Sequence, residues 1–101
     1  MAKTRLELHE ELKMLCNNCY FSPPDGFDMS YPCIVYKLES DKNGFADNYR
    51  YTRYKRYTVT IITQDPDSEM PDKLIERFHH CTFDRHFTND NLNHFVHTLY
   101  Y

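Results

Sequence analysis

Apolar residues recur over the first sixteen positions with helical spacing. Leu8, Leu12 and Leu15 follow at i, i+4 and i+7 with Leu6 beside them, while Glu10, Glu11 and Lys13 take the other face. This amphipathic period predicts a helix over residues 3–16. Thr4 can cap its start, and Asn17 and Asn18 can end it because Asn tolerates left-handed backbone. Cys19 to Ser22 reads as a short apolar bridge. Pro23-Pro-Asp-Gly26 then removes donors and favours turns, so 22–30 is expected to be an ordered loop.

The period changes to two after this loop. In residues 31–39, Ile34, Tyr36 and Leu38 alternate with Cys33, Val35 and Lys37, which predicts a strand with Pro32 at its start or on an edge. A polar turn region with Asn43-Gly44 leads into the longest β-type run, 49–64. There Tyr57, Val59 and Ile61 share one face and Thr58, Thr60 and Ile62 the other. Arg53 and Lys55 would point inward on that register. A bulge would relieve this, and so would a hairpin reaching past the core, which is the preferred reading.

Asp65-Pro-Asp-Ser68 marks a turn and helix start, with Asp67 or Ser68 as cap and Pro71 in the first turn. Met70, Leu74, Ile75 and Phe78 form one face of a second helix ending near His80. Two short strands follow. Cys81, Phe83 and Phe87 are assigned to the first. The second is 93–101, with Phe95, Leu99 and Tyr101 on one face and Asn89-Asp90-Asn91 as the turn. The expected fold is α+β: a small, mainly antiparallel sheet of about four strands with two helices packed on it, in the order α-β-β-α-β-β.

At 101 residues the chain is read as a single domain, 1–101, able to bury one modest core. Seven Phe and nine Tyr argue against disorder. No apolar run approaches the roughly 20 residues of a membrane span, and MAKTRLELHEELK has no apolar h-region of a signal peptide. Twelve Lys+Arg against fifteen Asp+Glu give a formal charge of -3, which counts against a dedicated nucleic-acid module. The four cysteines are expected to be free and mostly buried.

Cys16-x-x-Cys19 is half of a zinc pattern that His79, His80 or Cys81 would have to complete. Without a second tight pair, and with Cys16 on the apolar stripe of the helix, structural thiols are the favoured reading. Neither a nucleophile motif nor a Gly-rich phosphate loop accompanies the six histidines, although Asp84 sits two residues before His86. Surface and packing roles are favoured over acid-base chemistry. Asp65, Asp67 and Glu69 lack the Gly and distal Glu of a calcium loop. No cofactor or metal is expected, and no catalysis.

The sharpest local feature is basic and aromatic. Arg50, Tyr51, Arg53, Tyr54, Lys55 and Arg56 interleave cations with rings, preceded by Phe45 and Tyr49. Tyr and Arg are enriched at protein interfaces, and that reading leads. A solvated hairpin face is the plain alternative. Single-stranded nucleic-acid binding, in a regulatory protein, is another.

Three stretches taken together resemble a known family. These are Tyr31-Pro-Cys-Ile-Val-Tyr36, Asp65-Pro-Asp-Ser68 followed by Pro71-Asp-Lys73, and Asp90-Asn-Leu-Asn-His94. In order and spacing they look like the tail completion or tail terminator proteins of the bacteriophage neck, sometimes called minor capsid proteins. The resemblance spans roughly residues 4–101. It implies a virion protein, assembled in the bacterial host cytoplasm, that forms a homo-oligomeric ring, typically a hexamer. Its implied partners are the tail-tube protein and the head-tail connector, with DNA passing through the ring without sequence-specific binding. A ring needs two unlike patches on each subunit. The basic segment would supply one, and Glu10, Glu11, Asp65, Asp67 and Glu69 the other.

Overall fold

A computed structural model describes residues 5–24, 26–39 and 55–101. Helix α1, Arg5–Leu15, buries Leu8 and Leu12. Its end differs from expectation, because neither Asn17 nor Asn18 takes a positive φ. Instead the Asn18 carbonyl accepts the Ile34 N–H at 2.8 Å, and its side-chain amide donates to the Pro32 carbonyl at 3.1 Å. The helix exit is thereby tied directly to the sheet.

Among the described residues there are five strands, where about four were expected. They are β1 Cys19–Phe21, β2 Cys33–Leu38, β3 Arg56–Thr63, β4 Cys81–Asn89 and β5 Leu92–Tyr100; helix α2, Met70–Arg77, lies between β3 and β4. The spatial order is β1-β2-β3-β5-β4. The strand pair β1–β2 is parallel and the other three are antiparallel, so the sheet is mixed. The apolar bridge at Cys19 is thus a strand. Three residues are too few to show a period, and β1 exists because β2 offers it a partner. The described part of the long 49–64 run enters the sheet at Arg56, and positions 49–54 lie outside the described residues.

Registers decide what is buried. Ile34, Tyr36, Tyr57, Val59, Ile61, His97 and Leu99 share one face, and all are almost or fully shielded. Leu8 and Leu12 of α1, with Leu74 and Phe78 from the α2 region, complete that core. Each such aliphatic side chain contributes about 1.5–3 kcal/mol by leaving water. The second face also buries Cys33, Ile62 and Val96.

Helix α2 is shorter than its pattern predicts. Phe78 turns extended (φ -114°, ψ 125°) and packs edge-on against Tyr101, with centroids 5.8 Å apart. Glu69 is the capping residue but makes no side-chain cap bond; Ser68 Oγ accepts the Met70 N–H at 3.2 Å. Leu74 is the buried residue of α2, whereas Ile75, expected in the core, is exposed.

The β4–β5 hairpin turns at Asp90 and Asn91, both with positive φ (54° and 63°). That suits the tight turn whose twist matches the strands. A register shift between Phe83 and Arg85 marks a bulge in β4. It reverses the alternation, so His86 and not Phe87 continues the face of Cys81 and Phe83.

Candidate interaction surface

Phe45, Tyr49, Arg50, Tyr51, Arg53 and Tyr54 of the basic, aromatic segment lie outside the described residues; Lys55 and Arg56 lie within them. Lys55 is clamped through its backbone, its N–H and C=O each bonding Tyr101 at 3.0 Å. It shares parity with Tyr57 yet is exposed. Arg56 is half-buried opposite Tyr100. Nearby, Glu39 accepts from the Thr58 hydroxyl at 2.8 Å and pairs with Lys37 at 3.6 Å. The Thr58 hydrogen bond, then the Lys37 charge, hold its carboxyl below the ordinary range.

The acidic patch is only partly as expected. The Glu11 carboxylate accepts from the Tyr101 hydroxyl and pairs with Arg77 at 3.4 Å, so it is committed within the subunit. Burial and this carboxylate together keep the Tyr101 phenol protonated far above its usual range. Glu10, Asp65, Asp67 and Glu69 remain exposed. Asp65 Oδ1 accepts the Asp67 N–H at 2.9 Å, which shapes the turn after β3. Beside that turn lies an open cleft of about 360 Å³ whose walls include Tyr31, Pro32, Asp65 and Met70.

The thiols are placed as packing groups. Cys19, Cys33 and Cys81 are buried and Cys16 is half-buried, with none in a disulfide. Burial raises Cys19 and Cys33 to about 12 and Cys81 to about 11, which leaves them protonated. The Cys16 thiol donates to the Pro32 carbonyl at 3.3 Å. Cys19 on β1 and Cys81 on β4 occupy opposite edges of the sheet. Four strand spacings separate them, about 19 Å, so the zinc set with Cys81 does not form. Among the described residues no group of three or more His, Cys, Asp and Glu converges as a metal site.

Nor do Asp84 and His86 meet. The bulge sends Asp84 to the Thr98 hydroxyl, 2.6 Å away on the second face, while His86 lies 3.0 Å from Asn93 Oδ1 on the core face. Sequence reasoning missed three other groupings. His9 Nδ1 and the Arg5 guanidinium meet the buried Tyr36 hydroxyl at 2.7 and 3.3 Å. Buried Asn93 donates to the carbonyls of Thr63 and Gln64, both at 3.4 Å. His97 is fully buried, with neither ring nitrogen in a well-formed hydrogen bond. Burial holds it neutral, and the Val59 and Phe95 backbone offsets this only in part. No local pattern signals any of them, because each joins residues distant in the chain.

A further exposed surface is β4 itself. Eight of its nine residues are exposed, Phe83 and Phe87 among them. Cross-strand rings line the hairpin: Phe83 with His97, His86 with Phe95, and Phe87 stacked on His94 at 4.6 Å and 10°. No family model, no curated protein and no solved structure matches the chain.

Proposed function

We propose that the chain is a structural protein of the bacteriophage neck, capping the tail tube and joining it to the head connector as a ring of identical copies. The observation that supports this most is the location of unlike charge at opposite ends of β3. Lys55 and Arg56, the end of the basic segment, stand at its start, and Asp65, Asp67 and Glu69 follow its finish. Seven residue steps of about 3.3 Å put the two patches roughly 23 Å apart. Held apart in one subunit, the two patches suit a head-to-tail row of copies, the arrangement a closed ring uses. In this reading the protein works by shape and charge and transforms no substrate.

Electron microscopy of the purified chain mixed with tail tubes of its phage tests the reading. Added density is expected at one tube end only, with Arg53→Glu plus Arg56→Glu weakening ring formation in a sizing experiment. Bare tubes overturn it. Retention on single-stranded nucleic acid with a steep salt dependence would replace it with the regulatory alternative.

A further inference from the structure

The hydrogen bonds of β5 define which backbone groups of β4 face outward. Lys55 and Tyr101 exchange both bonds, so odd-numbered residues of β5 turn their amides towards β3. Even-numbered ones turn towards β4, as the bond from Tyr100 N–H to the His80 carbonyl shows. Opposite the odd residues stand Cys81, Phe83, His86 and Thr88. In an antiparallel ladder these non-bonded positions direct their N–H and C=O to the other side. The result is four outward amide sites on an exposed strand that, among the described residues, has a single strand neighbour. An edge of this length with exposed Phe is a template for a further strand. The opposite edge, β1, is only three residues long.

We propose that β4 pairs antiparallel with β4 of a second copy about a two-fold axis between Asp84 and Arg85. In that register Phe83 faces the second copy's His86 and Cys81 faces its Thr88, so all four outward sites meet outward sites. The faces agree as well. The bulge leaves Asp84 and Arg85 both on the second face, where Asp84 meets Thr98 and Arg85 is registered with Val96. Each Asp84 then lies beside the other copy's Arg85. A slip by one residue in either direction would set Arg85 against Arg85 or Asp84 against Asp84. Charges that discourage an arbitrary strand thus select this one, which is specificity by repulsion of the alternatives. A symmetric contact of this kind is separate from the head-to-tail contacts of a ring, so it does not rest on the neck reading.

Sedimentation and hydrogen exchange of the full chain over a range of concentrations test this contact. Wild type is expected to reach dimer mass or a multiple of it. The amides of Phe83, His86 and Thr88 should gain protection with concentration, while those of Thr82 and Phe87, bonded to β5, stay protected throughout. Arg85→Glu should weaken pairing about tenfold or more, and Asp84→Arg combined with Arg85→Asp should restore it. Phe83→Pro removes an outward N–H without removing a β5 bond and should also give monomer, with its fold checked by circular dichroism. A wild type that stays monomeric overturns the proposal. So do outward amides indifferent to concentration, even in an oligomer, an outcome that leaves the ring reading standing.

Discussion

In β2 and β3, Ile34, Tyr36, Val59 and Ile61 are shielded from water completely, beneath the helices. In β4, one residue of nine is buried. The two regions share one backbone ladder but are held in different ways. The central strands are stabilised by removing apolar surface from water against Leu8, Leu12 and Leu74. The outer strand of the β4–β5 hairpin relies on the tight turn and on ring pairs across to β5, terms worth a fraction of a kcal/mol to about one each. The difference makes the centre a scaffold and leaves the hairpin's outer strand available to another chain.

The sharpest way to break this contrast is to truncate one side chain in each region. Leu12→Ala opens a cavity under α1 and is expected to cost about 3 kcal/mol in urea unfolding. Phe83→Ala, at a side chain 47% exposed, should cost less than about 1 kcal/mol. Equal losses would mean that the hairpin belongs to the core after all.

The second prediction concerns pH at the seam between the regions. His97 sits on β5 between Val59 of β3 and Phe83 of β4. Burial lowers its pKa below 6.5, while the backbone of Val59 and Phe95 and the charge of Asp84 act the other way. The unfolded chain takes up the proton near the ordinary value and the folded chain resists it. Stability is therefore full above about pH 6.5 and falls as pH drops towards the folded pKa, by up to about 1.4 kcal/mol per unit. His9, lowered by burial and by Lys13 and Arg5, adds a change of the same sign. Urea midpoints measured between about pH 7.5 and 5.5 should fall on acidification, and His97→Leu should flatten the curve. An equal slope in that variant would assign the effect elsewhere.

Much of the scaffold was legible because its signals are contiguous. The leucines of α1, the alternation over β2 and β3, and Asp90-Asn91 in the hairpin turn each show their period or backbone preference within a few residues. What was hidden depends on partners far along the chain. The strand at Cys19 exists through β2, and the left-handed ending assigned to Asn17 and Asn18 gave way to the bonds of Asn18 to Pro32 and Ile34. Glu11, read as surface charge, is captured by Tyr101 at a separation of 90 residues. Phe87 belongs to the strand as assigned, but the bulge at Asp84 turns it to the face opposite Phe83 and separates Asp84 from His86, because one added residue reverses every later side chain. Of the proposed basic interface, the structure locates Lys55 and Arg56.

The third prediction sharpens where the scaffold ends. Asn93 is buried and ties the start of β5 to the Thr63 and Gln64 carbonyls and to His86. Asn93→Ala strands those acceptors and is expected to cost about 1–2 kcal/mol. Amide exchange should loosen first around the Asp90 turn, with β2 unchanged. Uniform loosening would show that the hairpin tip and the central strands open as one unit.

The smallest expected effect bears most directly on how the hairpin is held. The rings of Phe87 and His94 lie 4.6 Å apart and nearly parallel on the second face, with the Arg85 guanidinium 5.7 Å from the Phe87 ring. Area burial alone would make Phe87→Ala and His94→Ala additive, since Phe87 remains 39% exposed. Direct stacking makes them non-additive, and a double-mutant cycle isolates that part. A coupling of about 0.5–1 kcal/mol is expected, and Arg85→Ala should reduce it only slightly because its cation stands farther from the ring. Zero coupling would place the hairpin's stability in its turn and backbone ladder. The rings would then be surface that β4 presents to a partner and does not need for itself.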